Sequence, residues 1–129
     1  MGDCYILDEN HQPVPVDCLD WAVWFDDIDK RRVAETFTEV CWISTVFLGV
    51  DHGWHSDRPI LFETMVFEKE PHLHEIFGEM RETRESLDCY RYATWDEAKT
   101  GHARIVMDIV RAEQLNYEAI RKVLEKHPS

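Results

Sequence analysis

Apolar residues recur with a period of two in some stretches of this chain and at i, i+3, i+4 in others. The order of the two rhythms predicts the fold. Cys4–Asp8 reads as a short strand, followed by a turn at Glu9-Asn10-His11 and an extended Gln12–Val16. Pro13 and Pro15 remove backbone donors there and suit an edge position. Asp17 is placed to cap a helix that carries Cys18, Trp21, Ala22, Phe25 and Ile28 on one stripe and closes on Lys30-Arg31-Arg32. Residues 33–50 are rich in β-branched and aromatic side chains and divide into two strands, Val33–Phe37 and Val40–Val50, around a turn at Thr38-Glu39. Both alternating sets of the second strand are largely apolar, which predicts a central strand covered on both faces.

A polar loop over Asp51–Pro59 leads to another strand, Ile60–Phe67. Beyond it, Leu73, Ile76, Phe77 and Met80 fall at helical spacing behind Pro71, so a charged helix is expected there, weakened by Gly78. Leu87–Tyr92 reads as a last short strand. Thr94-Trp95-Asp96-Glu97 has the form of a capping box, and it opens a helix striped by Trp95, Ala98, His102, Ile105, Val106, Ile109 and Ala112. Asn116 is placed to cap a terminal helix that turns Tyr117, Ile120, Val123 and Leu124 inward. The expected architecture is a single α+β domain over residues 1–129. It consists of an antiparallel meander sheet of about four to five strands with three to four packed helices.

Composition narrows the class of function. The net charge is −12, and residues 1–39 hold ten acids against three bases, a net of −7. A field of that sign repels phosphate backbones, which argues against direct nucleic-acid binding and favours a protein partner with a basic surface. No apolar run reaches the roughly 20 residues that span a bilayer, and no secretory signal opens the chain. A cytoplasmic, membrane-free protein is therefore expected. Cys4, Cys18, Cys41 and Cys89 are scattered without a C-x-x-C spacing, so they read as small hydrophobes rather than as a disulfide pair or a zinc site.

Glu63 interrupts the apolar strand Ile60–Phe67 and needs a partner, because an unpaired buried carboxylate is costly. His102, centred on an apolar helix stripe, is the candidate partner, with Asp51 and His52 as neighbours. Two carboxylates and two imidazoles could hold a divalent metal or supply a general base with its orienting group. Glu63 and His102 are thus the catalytic candidates, and Asp51, His52, Glu63 and His102 the metal candidates. A hydrogen-bonded structural pair between Glu63 and His102 is the competing explanation. Trp54, beside His52 and His55, offers a stacking surface on the loop. His72 and His74, two apart, would point to different sides of a helix. Trp24, between Asp20 and Asp27, forms a second candidate surface, an aromatic anchor among acids suited to a basic partner.

Three segments carry a resemblance: Cys4–Val16; Ser44–His52 with Pro59–Phe67; and Tyr92–His102. Together they resemble a family of small phage- and bacterium-encoded proteins that has no assigned activity. Asp51, His52, Glu63 and His102 all fall within these segments. The chain departs from the pattern between Glu68 and Leu87, where a charged helical insertion is expected, and at Trp54-His55. The resemblance implies a phage or prophage accessory context, in the host cytosol if the protein is phage-encoded. The expected function is protein–protein binding, with a host factor as a candidate partner. The alternatives are an enzyme built on Glu63, His102, Asp51 and His52, and a structural or scaffold component.

Overall fold

The computed structural model describes residues 4–51, 58–84, 86–115 and 119–125, with the side chains of residues 72, 74, 76 and 119–121 excepted. The chain runs β1 (Cys4–Leu7), β2 (Pro13–Val16), α1 (Cys18–Phe25), α2 (Ile28–Arg31), β3 (Arg32–Phe37), β4 (Cys41–Phe47) and β5 (Phe62–Glu68). It continues through β6 (His72–Ile76), β7 (Glu79–Thr83), β8 (Ser86–Tyr92), α3 (Trp95–Leu115) and α4 (Ala119–Glu125). The α+β class and the antiparallel meander expected from the sequence are found. The main sheet has the order β3-β4-β5-β8, and β1-β2 and β6-β7 form separate two-stranded hairpins.

One face of the main sheet carries the core. Cys41, Ile43, Thr45 and Phe47 of β4 and Phe62, Thr64 and Val66 of β5 are buried beneath α3, whose Ala98, His102, Ile105, Ile109 and Ala112 are buried in turn. The alternate set, Trp42, Ser44 and Val46, stays half-buried. β4 is therefore central in the sheet but fully covered on one face only, in contrast to the two-sided burial its composition predicts. The apolar residues of the other face shield one another laterally instead. Phe37, Trp42 and Phe67 stand in register across three strands, with ring centroids 5.9 and 4.9 Å apart.

Two expectations about the helices are corrected. The stretch from Asp17 is not one helix. Asp17 caps α1 by accepting from the Leu19 N–H at 2.8 Å, and Asp27 then starts a new turn by accepting from the Asp29 N–H at 3.1 Å. A second Asx cap competes with helix continuation at that point. The segment after Pro71 is not a helix but the β6-β7 hairpin, closed by Phe77-Gly78 with φ of 51° and 81°. Positive φ at both central residues marks the turn type that matches strand twist. The helical spacing of Leu73, Ile76, Phe77 and Met80 is therefore a coincidence of two short strands around a two-residue turn.

The start of α3 is as the sequence predicts. Thr94 Oγ1 accepts from the Glu97 N–H at 3.1 Å, and Glu97 reaches back to the Ala93 N–H at 3.4 Å. Asn116 and Tyr117 lie outside the described residues, while Val123 and Leu124 of α4 pack on the core.

A third correction concerns the cysteines. Cys4 and Cys18 form a disulfide with Cα atoms 5.5 Å apart, tying β1 to the first residue of α1. The sequence offered no spacing rule for this pair. They are brought together because β2 returns antiparallel to β1, placing Val16 opposite Cys4 two residues before Cys18. Cys41 and Cys89 remain thiols. Among the described residues no helix is long and apolar enough to cross a membrane.

Candidate functional site

The register of the sheet decides the fate of the Glu63–His102 pair. His102, 5% exposed, points from α3 into the buried face. Its Nδ1 lies 2.7 Å from Thr45 Oγ1 and its Nε2 2.8 Å from Thr36 Oγ1. Thr45 is also hydrogen-bonded to Thr64, its direct partner on β5. A continuous polar line thus crosses the core from β3 to β5. It separates an apolar cluster around Ile43, Val66 and Ile105 from another around Phe47, Phe62 and Ala98. Burial holds the His102 imidazole below its ordinary pKa, so it is neutral, donating through one ring nitrogen and accepting through the other. Burial likewise raises the Tyr92 hydroxyl.

Glu63 is adjacent to Thr64 along β5 and so faces the opposite side of the sheet. There its carboxylate accepts from Arg91 Nε at 3.2 Å, its cross-strand partner on β8, and from the Cys89 thiol at 3.3 Å. Burial, and then the Glu63 carboxylate beside it, push the Cys89 thiol up to about 11. The expected pairing of Glu63 with His102 is therefore corrected. A charge sits in an apolar strand because it lies on the half-open face opposite an arginine, and the histidine is satisfied by threonines. The general-base arrangement built on that pair has no geometric basis. Asp51 accepts from the Ile60 N–H at 2.9 Å and so closes the base of the long loop. His52, Trp54 and His55 lie outside the described residues. Among the described residues no three His, Cys, Asp or Glu side chains gather in a metal-binding arrangement.

Trp24 is also corrected as an outward anchor. It packs edge-on against Phe47 with centroids 5.6 Å apart, in the core rather than toward a partner. The half-buried stripe of α1 is Trp21, Trp24 and Phe25, with the Trp21 Nε1–H donating to the Leu48 carbonyl at 3.2 Å. The outward positions are Leu19 and Val23, beside the exposed Asp20. Asp27 is exposed and occupied as a cap. Asp20 and Asp27 thus remain on the surface, without the aromatic side chain expected between them.

Three features were missed by sequence reasoning. Glu113, near the end of α3, accepts from the Thr38 hydroxyl and from the N–H groups of Glu39 and Val40 at 3.1 and 3.2 Å, clamping the β3–β4 turn. Tyr92, Asp96, Glu97, Thr100, Gly101 and Arg104 line an open cleft of about 430 Å³. Gly101 is required there, since a Cβ would overlap the Tyr92 ring.

The third is the end of the sheet that bears the β6-β7 hairpin. The row Phe37–Trp42–Phe67 lies where β5 leaves and β8 enters, so it forms the base of the hairpin. Arg84 lies with its guanidinium carbon 5.1 Å from the Trp42 ring centroid, and Trp42 Nε1 donates to Glu35 at 2.9 Å. Within the hairpin Leu73 and Met80 are each 64% exposed, and Phe77 at the tip is fully exposed. The signal available in the sequence was Phe-Gly between two short polar-apolar runs, a hairpin turn with an unusual first residue. No family model, curated protein or solved structure matches this chain.

Proposed function

We propose that this protein is a partner-binding module that docks through the hairpin end of its sheet. The observation that carries this reading is Phe77. A bulky side chain held at φ 51° costs roughly 1–2 kcal/mol relative to ordinary backbone, and Phe77 recovers none of it through burial.

The contrast with His11 is instructive. His11 has a comparable φ of 61°, but its ring stacks on Trp95 at 3.7 Å with planes 6° apart. One strained residue is compensated within the fold. The other presents an aromatic ring to solvent at the tip of a hairpin that also exposes Leu73 and Met80. Solvent-exposed apolar side chains gathered this way suit a protein interface, where aromatic residues and Met act as anchors. Small size, the negative field and the phage-type resemblance support an accessory role, with a host protein as the occupant.

Phe77→Asn tests this reading, because Asn-Gly is the favoured pair for this turn. Immobilised wild-type protein should retain a saturable partner from a host lysate, and Phe77→Asn should lose it while folding as well or better. Equal retention by both proteins, or no saturable partner for the wild type, would refute the docking role. Concentration-dependent self-association on sizing, lost in Phe77→Asn, would point to the scaffold alternative instead.

A further inference from the structure

Building on that docking reading, we infer that the partner surface is an apolar recess studded with Arg or Lys, engaged by one defined face of the β6-β7 hairpin. The hairpin register decides which side chains share a face. Leu73 stands opposite Glu82, and Glu75 stands opposite Met80. Residues 73 and 75 share a face, as do residues 80 and 82, so these four side chains form one checkerboard. Each apolar side chain has a carboxylate across the strand and another two residues along its own strand. All four are exposed.

No surface can cover Leu73 and Met80 without also covering Glu75 and Glu82. Removing carboxylates from water without a counter-charge is costly, so a purely apolar partner is disfavoured. The occupant must offer cations at the spacing of cross-strand neighbours, about 5 Å from the apolar contacts. Arginine suits this position, since its stem covers apolar surface while its planar head binds a carboxylate.

A second copy of this chain does not meet the requirement. The checkerboard carries no base. Arg81 is on the other face of the hairpin, held by Glu79 at 3.1 Å. A chain of net charge −12 also repels its own copy.

The test is a random peptide library displayed on phage, panned against the wild-type protein with counter-selection on the Leu73→Ser/Met80→Ser double variant. Enriched peptides should alternate apolar residues with Arg or Lys, and their binding should weaken as salt rises. Charge reversal by Glu75→Lys/Glu82→Lys should weaken them by about tenfold or more. The substituted side chains are exposed, and backbone amide NMR shifts outside the hairpin report that each variant is folded. Hairpin-dependent peptides that lack basic residues, or that ignore charge reversal, would overturn the inference and leave docking by the hairpin standing. A failure to enrich any hairpin-dependent peptide would overturn both. A dimer in sedimentation equilibrium that disappears in Glu75→Lys/Glu82→Lys would make a second copy the occupant and overturn the basic partner.

Discussion

At the scale of single residues, the chain distributes its polar groups by sheet face, and this is what separated His102 from Glu63. That His102 lies on a core-facing stripe was legible from helical spacing. Its partners were not, because Thr36, Thr45 and Thr64 converge only through the register of three strands. The buried imidazole has a pH consequence. Its pKa is lowered by burial from 6.5. Below that value the unfolded chain binds a proton that the folded chain refuses. The stability contributed by the neutral ring is therefore fully present above about pH 6.5 and is lost as pH falls through the lowered folded value. Urea unfolding of wild type and His102→Gln from neutral to mildly acidic pH should show the difference shrinking as pH falls. The other histidines act equally in both proteins, and a constant difference would contradict the assignment. At neutral pH the substitution should cost about 2–4 kcal/mol, from lost packing and from threonine hydroxyls left without a partner. Glu113→Ala should cost about 1–3 kcal/mol, because the Val40 N–H is half-buried and loses its acceptor. Glu113→Gln should recover part of that loss in the same denaturation experiment, since one oxygen remains to accept.

At the scale of elements, what could be read from the sequence depended on length. The long stripe of α3 with its Thr94 cap, and the alternating runs of β4 and β5, carry enough residues for one period to stand out. β6 and β7 have five residues each, too short for period two to be told from the helical spacing that their turn creates. The break between α1 and α2 was hidden for a related reason. Asp27 can sit on a helix surface or cap a new turn, and only packing against Phe47 decides. The hairpin also separates foldability from function. Phe77→Asn relieves a left-handed aromatic residue at no cost in buried area, so thermal or urea unfolding should show stability unchanged or raised by up to about 1 kcal/mol. A clear loss of stability would mean that Phe77 is held by contacts within the fold, and its role as a solvent-facing anchor would fall with that result. Gly49 marks the opposite case. At φ 73° any Cβ would press on the Trp21 ring and the Tyr5 carbonyl, so Gly49→Ala should destabilise by more than the roughly 1 kcal/mol typical of a point substitution.

At the scale of the whole molecule, the acidic N-terminal region is tied to the sheet through its far end, away from the hairpin. Tyr5 N–H donates to the Gly49 carbonyl at 2.7 Å, and Cys4 bridges to Val50, extending the ladder beyond β4. The Cys4–Cys18 disulfide then fixes α1 to that strand. Most α1 and α2 side chains are exposed, so burial alone gives this unit little hold. A cross-link closing a loop of 14 residues restricts the unfolded chain by about 3 kcal/mol. Reduction should therefore lower stability by about 2–3 kcal/mol, with amide exchange rising first in β1, β2 and α1 while β4 and β5 stay protected. The two remaining thiols make the cross-link countable. Burial raises both Cys41 and Cys89 to about 11, so at neutral pH the folded protein should resist iodoacetamide. Unfolded without reductant it should take up two labels by mass spectrometry, and after reduction four, matching the four cysteines of the chain. Four labels without reductant would mean that Cys4 and Cys18 are free thiols. The N-terminal unit would then be held without a covalent tie, by the Tyr5–Gly49 and Trp21–Leu48 hydrogen bonds, the Trp24–Phe47 and His11–Trp95 ring contacts and Leu7 in the core.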